Sequence, residues 1–312
     1  MTPTAEQAVD TAPQWAFFQA SVAAVQRLGP SFVRLTLTGP RLAGFGAAGD
    51  DQRFKLVLAR DPDGLRRLVD RGADWYPEYC AMPEEQRPHV RTYTVRAARP
   101  ELAELDVDVV LHGVDGGHAG PAASWAARAV PGDEIVLLGP DRPGHGRPWG
   151  VEWAPPASAT TLLLAGDETA VPAVCAILDS LADGSRTVTA LLEVPEAGDV
   201  MDLVLPAGVT VRWLPREGAA RGALLEPAVH RALCELGVAS DRPAADPEDV
   251  DVDTGFLWEV PEGGDGATAG CYAWLAGEAG VVKSLRRRLV GDLGLPRSAV
   301  AFMGYWREGV AG

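Results

Sequence analysis

Arg91-Thr92-Tyr93-Thr94-Val95-Arg96 is the stretch that decides how the rest of the chain is interpreted. Its β-branched and aromatic residues predict a β-strand that places Tyr93 and Val95 on one face. A guanidinium can bind a phosphate through two N–H groups, a phenol ring can lie along a flat heterocycle, and a hydroxyl can bond a ring nitrogen. A flavin dinucleotide offers all three features. An ordinary strand with one exposed arginine fits the same pattern, so the remaining sequence has to separate the two interpretations.

The chain up to residue 140 has a β-strand pattern. Residues 31–38 alternate apolar and polar side chains, which is typical of a half-buried strand. Further strands are predicted at 54–58, 105–111 and 133–138. An insertion between Asp61 and Arg87 is predicted to fold over them as a helical excursion. Short strands separated by turn signals predict an antiparallel barrel or sandwich, and we assign it to residues 14–140.

The spacing of apolar residues along the chain changes after a Pro- and Gly-rich connection at 141–158. Strands are predicted at 160–165, 187–194, 209–214, 273–276 and 299–303, and helices at 169–181, 223–236 and 281–290. Alternating strands and helices of this kind build a parallel sheet covered by helices on both faces. We therefore predict a second, doubly wound α/β domain over residues 159–312.

A glycine-rich segment in the first domain leads into a helix predicted at 122–129. Gly113, Gly116 and Gly117 precede Gly120-Pro121, and proline suits the first turn of a helix. Backbone N–H groups at such a helix end attract anions. A loop that is merely rich in glycine remains an equal alternative.

Two strands of the second domain end on glycine followed by polar residues. These segments are Gly166-Asp167-Glu168-Thr169 and Gly277-Glu278. Ligands of open α/β sheets bind beyond the carboxyl ends of the strands, so both segments are candidates for nucleotide binding. Plain helix caps are the alternative interpretation, and the G-x-G-x-x-G fingerprint is absent.

Composition excludes several classes of protein. The 312 residues are 47% hydrophobic and 23% charged, and the net charge of −15 argues against general nucleic-acid binding. No apolar run is long enough to span a membrane, and the polar segment 1–14 does not resemble a signal peptide. The four cysteines lack the spacing of a metal site. These features predict a cytoplasmic protein without stable membrane insertion. The acidic segment 241–266 is predicted to be a solvated loop.

The motifs taken together are similar to those of the siderophore-interacting proteins, which are flavin-dependent ferric-siderophore reductases of the ferredoxin–NADP reductase superfamily. The motifs that carry this resemblance are Arg-Thr-Tyr-Thr-Val-Arg at 91–96, Leu-His-Gly at 111–113, Gly-Pro-Ala-Ala-Ser-Trp-Ala at 120–126, Gly-Asp-Glu-Thr-Ala-Val-Pro-Ala at 166–173, Ala-Gly-Glu-Ala-Gly at 276–280 and Gly-Tyr-Trp-Arg-Glu-Gly at 304–309. They follow the family's order over nearly the whole chain.

The resemblance implies a role for each motif. Arg91 would bind the FAD diphosphate, Tyr93 would stack on the isoalloxazine, and Thr94 would bond near N5. The helix-end phosphate site would comprise Gly120, Ala122, Ala123 and Ser124, with His112 beside the ribityl or adenine portion. Gly166, Asp167, Glu168, Thr169, Gly277 and Glu278 would contact the nicotinamide nucleotide, and Tyr305 and Trp306 would cover the flavin.

The resemblance also implies the reaction. NADH or NADPH would reduce the flavin, which would reduce Fe(III) in a siderophore and release Fe(II), and a ferredoxin is a possible partner. No side-chain acid or base stands out as catalytic. Two alternatives remain: a flavin- or ferredoxin-type reductase or biosynthetic flavoenzyme on this scaffold, and a non-catalytic siderophore-binding accessory protein.

Two smaller expectations concern charge. Ferric siderophores are often anionic, so a basic rim is expected, with Lys55, Lys283, Arg34, Arg297 and Arg307 as candidates. Glu193, at the end of the second α/β strand, is expected to bond the ribose of NADH, whereas Arg212 and Arg216 would favour the phosphate of NADPH. We expect NADH to be accepted with at most a modest preference.

Overall fold

The structure is a computed structural model that describes residues 15–114, 116–181, 184–237, 257–261 and 270–309. The predicted acidic loop at 241–266 lies mostly outside these ranges. None of the helices in the described parts of the chain combines the length and apolar character needed to cross a bilayer.

The first part of the chain forms a curled antiparallel sheet of seven strands. The strands are β1 Trp15–Arg27, β2 Phe32–Thr38, β3 Arg53–Leu58, β4 His89–Thr94, β5 Ala97–Arg99, β6 Glu104–Val110 and β7 Glu134–Pro140, in the order β4-β3-β7-β1-β2-β6-β5. The predicted strands are confirmed, and β1 is an addition that the sequence analysis missed. The sheet buries one apolar face inside its curl, where Leu35, Leu56 and Val107 pack together.

The stretch 91–96 closes this sheet. β4 pairs with β3 at one edge, and β5, only two residues later, pairs with β6 at the other edge. Between them the Val95 amide donates to Gln52 O at 2.8 Å, and the Arg96 amide donates to Asp106 O at 2.9 Å. One bent segment therefore joins both edges into a barrel.

Three helices accompany the barrel. They are α1 Pro62–Arg71, α2 Trp75–Ala81 and α3 Pro121–Ala126. The predicted excursion at 61–87 is confirmed as α1 and α2, which cover the outer face around Phe17 and Val57. α3 ends three residues before the predicted end, at Ala126.

The second part forms a six-stranded sheet. Its strands are β8 Thr161–Gly166, β9 Thr187–Val194, β10 Val209–Pro215, β11 Trp258–Glu259, β12 Cys271–Glu278 and β13 Val300–Trp306, in the order β10-β9-β8-β12-β13-β11. The helices are α4 Val171–Ser180, α5 Leu225–Glu235 and α6 Ala279–Arg286, which continues as a π-helical segment Arg287–Asp292. α4 packs on one face and α5 and α6 on the other, so the doubly wound fold is confirmed.

The order of strands places a crevice between β8 and β12. The chain runs outward from β8 through β9 to β10 on one side and continues with β12 on the other. β8 is followed by a helix on one face of the sheet and β12 by a helix on the other. A crevice therefore opens at the carboxyl ends of these two neighbouring strands. β11 is antiparallel to β13 and was not predicted.

The barrel and the α/β sheet share one apolar core. Phe32 and Val110 of the barrel pack in the same cluster as Trp153 of the connection and Trp274 of β12. Arg96, the last residue of the closing stretch, donates to Asp179 at the end of α4, with Nη1 2.6 Å from Oδ2. The two sheets are therefore held in a fixed orientation.

A buried carboxylate, Asp51, reinforces this junction. It is fully buried and accepts from the backbone amides of Glu152 and Trp153 at 3.0 and 2.9 Å, and from the Trp274 indole at 3.3 Å. Burial raises the pKa of Asp51 from 3.8 to about 6, against the opposing effect of these bonds. The folded protein therefore binds a proton at this site more tightly than the unfolded chain does.

Asp51→Asn is expected to change the pH dependence of stability. Because the folded-state pKa is raised, Asp51 makes the free energy of unfolding fall as pH rises from about 4 to about 6. The variant should lack this decline, so its stability relative to the wild type should increase across that interval. Urea unfolding at several pH values measures the difference, and parallel curves for the two proteins would contradict the prediction.

Candidate functional site

The side chains of β4 alternate between two environments. His89, Arg91 and Tyr93 point to one face of the strand. They pair with Leu58, Leu56 and Phe54 of β3, in that order, and these three residues belong to the interior cluster of the barrel. α3 lies on this same side, because Ala122 and Ala126 belong to that cluster. Arg91 and Tyr93 therefore face the part of the barrel that holds the glycine-led helix.

The Arg91 guanidinium forms one side-chain hydrogen bond within the described structure. Its Nη1 donates to Val90 O at 3.0 Å, and no ion pair among the described residues includes it. No side chain caps the N-terminus of α3, where Gly120 is the first flanking residue. The Ser124 amide donates to Gly120 O at 2.9 Å and its hydroxyl to Ala119 O at 3.2 Å, so in this turn the amides of Ala122 and Ala123 are the ones that can reach a ligand. A diphosphate between Arg91 and α3 fits both features.

Tyr93 and Thr94 point to opposite faces of β4. Burial raises the pKa of Tyr93 to about 12, while Thr94 is 7% exposed on the other side. Among the described strands, only β3 pairs with β4. A flat heterocycle that touches both residues would lie across the second edge of the strand, where backbone groups can bond its polar atoms. The expected roles of Tyr93 and Thr94 stay a prediction.

Asp167 ties together the carboxyl ends of three strands. Its Oδ1 accepts from the Thr169 amide and hydroxyl at 2.9 and 2.5 Å. Its Oδ2 accepts from the Glu278 amide at 2.7 Å and from the Trp306 indole at 2.9 Å. Burial raises the pKa of Asp167 to about 6. Asp167 and Thr169 thus build the edge of the crevice, and Thr169 remains partly exposed to a ligand there.

At this edge, neighbouring protein atoms leave no space for a side chain at Gly166 and Gly277. A Cβ on Gly166 would lie 2.4 Å from the Ala170 Cβ and 2.5 Å from Ala276 O. Gly277 has a φ of 149°, and a Cβ there would lie 2.8 Å from the Asp167 carboxyl. Close approach between protein groups therefore explains both residues without a ligand. Glu278 caps α6 by accepting from the Val281 amide at 3.0 Å.

Glu168 is the centre of a buried ion-pair cluster. Its two oxygens accept from Arg216 Nη1 and Nη2 at 2.6 and 3.0 Å, and neither residue's side chain is more than 6% exposed. Although burial alone would raise it, the bonds from Arg216 hold the pKa of Glu168 below its usual value. Glu168 is therefore a structural anion rather than an exposed nucleotide ligand.

The expectation that Glu193 bonds a ribose is wrong. Glu193 is fully buried, and its Oε1 accepts from the Gly222 amide at 2.8 Å and from Arg216. Its Oε2 accepts from the amides of Leu224 and Leu225 at 3.1 and 2.8 Å, which caps α5. Arg216 is equally occupied inside, and Arg212 pairs with Glu235 at 2.8 Å. None of the three decides between NADH and NADPH in the way the sequence suggested.

His112 and Trp306 meet across the two sheets. His112 follows β6, Trp306 ends β13, and their ring centroids are 5.0 Å apart. His112 Nδ1 lies 3.6 Å from Glu168 Oε1, and burial lowers the pKa of the imidazole. A neutral histidine thus lies over the indole that Asp167 fixes, where the flavin and nicotinamide motifs come together.

Arg221 is a site residue that the sequence analysis missed. Its guanidinium lies 4.7 Å from the centroid of the Trp306 ring, and its Nη1 is 3.5 Å from Glu308 Oε1. The side chain is 28% exposed, so it can still contact a ligand. The loop that follows a parallel strand lies at the carboxyl edge of the sheet, where ligands bind. An arginine in the loop between β10 and α5 was therefore the sequence feature that could have pointed to this residue.

Tyr305 does not join Trp306 over a common ligand. Its ring stacks on Trp258 at 5.9 Å and meets Trp274 edge-on at 6.3 Å. Burial raises the pKa of its hydroxyl well above the usual value. Tyr305 is part of the core between the sheets, because successive residues of β13 point to opposite sides.

The five candidate basic residues do not converge. Arg34 forms a two-point bond with Asp108 at 2.6 and 2.8 Å, and Arg297 precedes β13 at the edge opposite the crevice. Lys55 lies on the outer face of the barrel, where its Nζ donates to Thr92. Lys283 lies on α6, and Arg307 follows Trp306 at the crevice. Only Lys55 and Arg307 remain close to the predicted flavin elements.

Comparison with known proteins identifies relatives along the chain. The model of the siderophore-interacting FAD-binding domain matches residues 21–144, and the model of the siderophore-interacting protein matches residues 159–309. An uncharacterized protein of Mycobacterium tuberculosis strain H37Rv is 32% identical over 296 residues, covering 92% of this chain and 89% of that protein. Ferric vibriobactin reductase ViuB of Vibrio cholerae is 27% identical, covering 89% and 85%. A siderophore utilization protein from T. fusca superposes with a TM-score of 0.65 at 26% identity, covering 95% of each chain.

Proposed function

Because the chain belongs to the siderophore-interacting protein family, we propose that it is an FAD-dependent ferric-siderophore reductase that draws electrons from NADH or NADPH. The observation that carries this proposal is the contact between His112 of the barrel and Trp306 of the α/β sheet. It joins the residues that follow β6 to the end of β13, beside the edge of the crevice that Asp167 builds, and this supports a site shared by flavin and nicotinamide.

The residues of this chain divide the work of binding. Arg91 and the N-terminus of α3 would hold the diphosphate of FAD, and Tyr93 and Thr94 would contact its isoalloxazine. Thr169 and Arg221, at the crevice between β8 and β12, would bind the nicotinamide nucleotide. Asp167 keeps Trp306 in place by accepting from its indole, and the ring would shield the reacting groups from water.

The chemistry that bound FAD supplies is the conversion of one hydride into two single electrons for Fe(III). The work of the protein is to hold both rings in register, which requires no side-chain acid or base. Hard oxygen ligands bind Fe(II) far less tightly than Fe(III), so reduction releases the metal. One NAD(P)H oxidised should therefore yield two Fe(II). Lys55 and Arg307 provide positive charge toward an anionic chelate.

The same proposal includes the cellular setting. The cytoplasm supplies NADH and NADPH, and it suits a chain whose four cysteines, all within the described ranges, are free thiols. A reduced ferredoxin could deliver single electrons to the same flavin, as a second route.

A stoichiometric assay tests the function. The purified protein should be yellow, and anaerobic NADH or NADPH should bleach it. A ferric siderophore added afterwards should restore the colour while an Fe(II)-specific chelator reports two Fe(II) per NAD(P)H. A colourless protein that binds the ferric siderophore would favour the accessory-protein alternative. A yellow protein that reduces only a partner protein would favour a ferredoxin-type reductase.

Donor preference is a separate prediction. Since Glu193 is buried against α5, the acid expected to repel the 2′-phosphate of NADPH does not reach the crevice. Both donors should therefore reduce the flavin, with single-turnover rates within about a hundredfold of one another, or ~2.7 kcal/mol. Stopped-flow reduction with each donor measures this. A larger preference for NADPH would show that a cation, with Arg221 the first to test, recognises the 2′-phosphate, and a larger preference for NADH would contradict the prediction.

A further inference from the structure

Two arginines and a histidine come together at the start of β4. His89 and Arg91 are two residues apart on one strand, so they point to the same face. Leu58, the last residue of β3, pairs directly with His89, and Arg60 follows two residues later. Arg60, His89 and Arg91 thus form a row in which His89 and Arg91 lie on the face of the barrel that carries α3 and Arg60 lies in the loop just after β3.

This row lacks an anionic partner in the described structure. Arg60 Nη1 donates to the backbone oxygen of Glu84 at 2.9 Å, and Arg91 Nη1 donates to Val90 O at 3.0 Å. No hydrogen bond or ion pair within the described ranges includes the His89 ring. The pKa of His89 is lowered, first by burial and then by the charges of Arg91 and Arg60.

Such an arrangement of basic groups favours the binding of an anion. Like charges at close range repel, and this chain carries a net charge of −15, so acids were abundant for pairing had the row served only the fold. Both guanidiniums instead bond to carbonyl oxygens, and no carboxylate in the described structure pairs with either of them. An unpaired set of guanidinium and imidazole groups suits a phosphate or diphosphate.

We propose that Arg60 and His89 extend the anion site that begins at Arg91, and that together they bind the diphosphate of FAD. The inference rests on the proposed function, which places FAD on this face. His89 becomes protonated as the diphosphate binds, because the added negative charge offsets the two neighbouring arginines. FAD affinity consequently rises as pH falls from about 8 to about 5.5. Arg60 and Arg91 stay charged throughout this range.

Truncating the ligand separates this role from a structural one. The apoprotein is titrated with FAD and with riboflavin, which has the same ring but no diphosphate, and flavin fluorescence reports binding. Arg60→Ala and His89→Gln are each expected to weaken FAD binding about tenfold at pH 6, the loss of one charge-assisted contact. Riboflavin affinity should not change. The pH dependence of FAD binding should flatten in His89→Gln.

The control is Arg66→Ala. Arg66 lies on α1 and forms an exposed ion pair with Asp63 at 3.0 Å, away from the row. It should bind both flavins as the wild type does. Unchanged FAD affinity in both test variants, or an equal loss for FAD and riboflavin, would overturn the inference. A wild-type protein that binds neither flavin would overturn the proposed function and this inference together.

Discussion

Arg216→Ala is expected to lower the free energy of unfolding by about 3–5 kcal/mol, the largest effect on stability that we foresee for a single substitution. The guanidinium is 6% exposed and lies between the fully buried carboxylates of Glu168 and Glu193. Its removal leaves both carboxylates buried without their counter-ion. Since an unpaired buried carboxylate has a raised pKa, the deficit should shrink as pH falls from 7.5 toward 5.

Arg212→Ala is the matched control for this change. Arg212 lies on the preceding strand and pairs with Glu235 at 2.8 Å, but both side chains are about half exposed. Such a pair contributes little to stability, so urea unfolding of Arg212→Ala should resemble that of the wild type. Equal effects of the two substitutions would show that the cluster around Glu168 is not the internal support inferred from the structure.

The sequence predicted most strands and helices because their signals are local. Alternation marks β2 and β6, and continuous apolar runs marked β8 and β9, which are buried on both faces. β1 was missed although it is the longest of the described strands, because its exposed end, from Ala23 to Arg27, is not clearly periodic. Its pairing with both β2 and β7 determines it, and such pairing depends on residues far away in sequence.

The side-chain roles at the crevice were harder to predict than the crevice itself. The Gly-plus-acid segments correctly marked the carboxyl ends of β8 and β12. The pattern could not show that Asp167, Glu168 and Glu193 direct their oxygens inward, because it does not reveal which donors the loops bring to them. Two amides of the loop before α5, the first amide of α5 and the Arg216 guanidinium satisfy Glu193. The hydrogen-bond donors around an acidic residue at a strand end therefore have to be identified before that residue is assigned to a ligand.

The aromatic pair near the end of the chain illustrates the same limit. Tyr305 and Trp306 are adjacent, and adjacency suggested a shared function over one ring. On a strand, adjacency means opposite faces, and the structure places Tyr305 against Trp258 and Trp306 against His112. Only the second contact joins elements of the predicted flavin and nicotinamide sites.

Arg91→Ala is expected to purify with much less FAD than the wild type, with affinity reduced by about 1.5–3 kcal/mol, or roughly tenfold to more than a hundredfold. The reason is that Arg91 offers a forked donor on the face of β4 that carries α3, and no ion pair within the described structure includes it. Flavin content after purification, followed by titration of the apoprotein with FAD, measures the loss.

Further measurements distinguish the loss of FAD affinity from an effect on stability and from a simple loss of charge. Arg91 makes one described hydrogen bond, to the backbone oxygen of its own neighbour, so the unfolding midpoint of the apoprotein should change little in Arg91→Ala. Arg91→Lys keeps the charge but not the two-point geometry and should recover only part of the affinity, because an ammonium acts as a point charge on a phosphate. If Arg91→Ala retains full FAD occupancy, the diphosphate lies elsewhere. The assignment of the 91–96 stretch to flavin binding would then be wrong, even though its role in closing the barrel would stand.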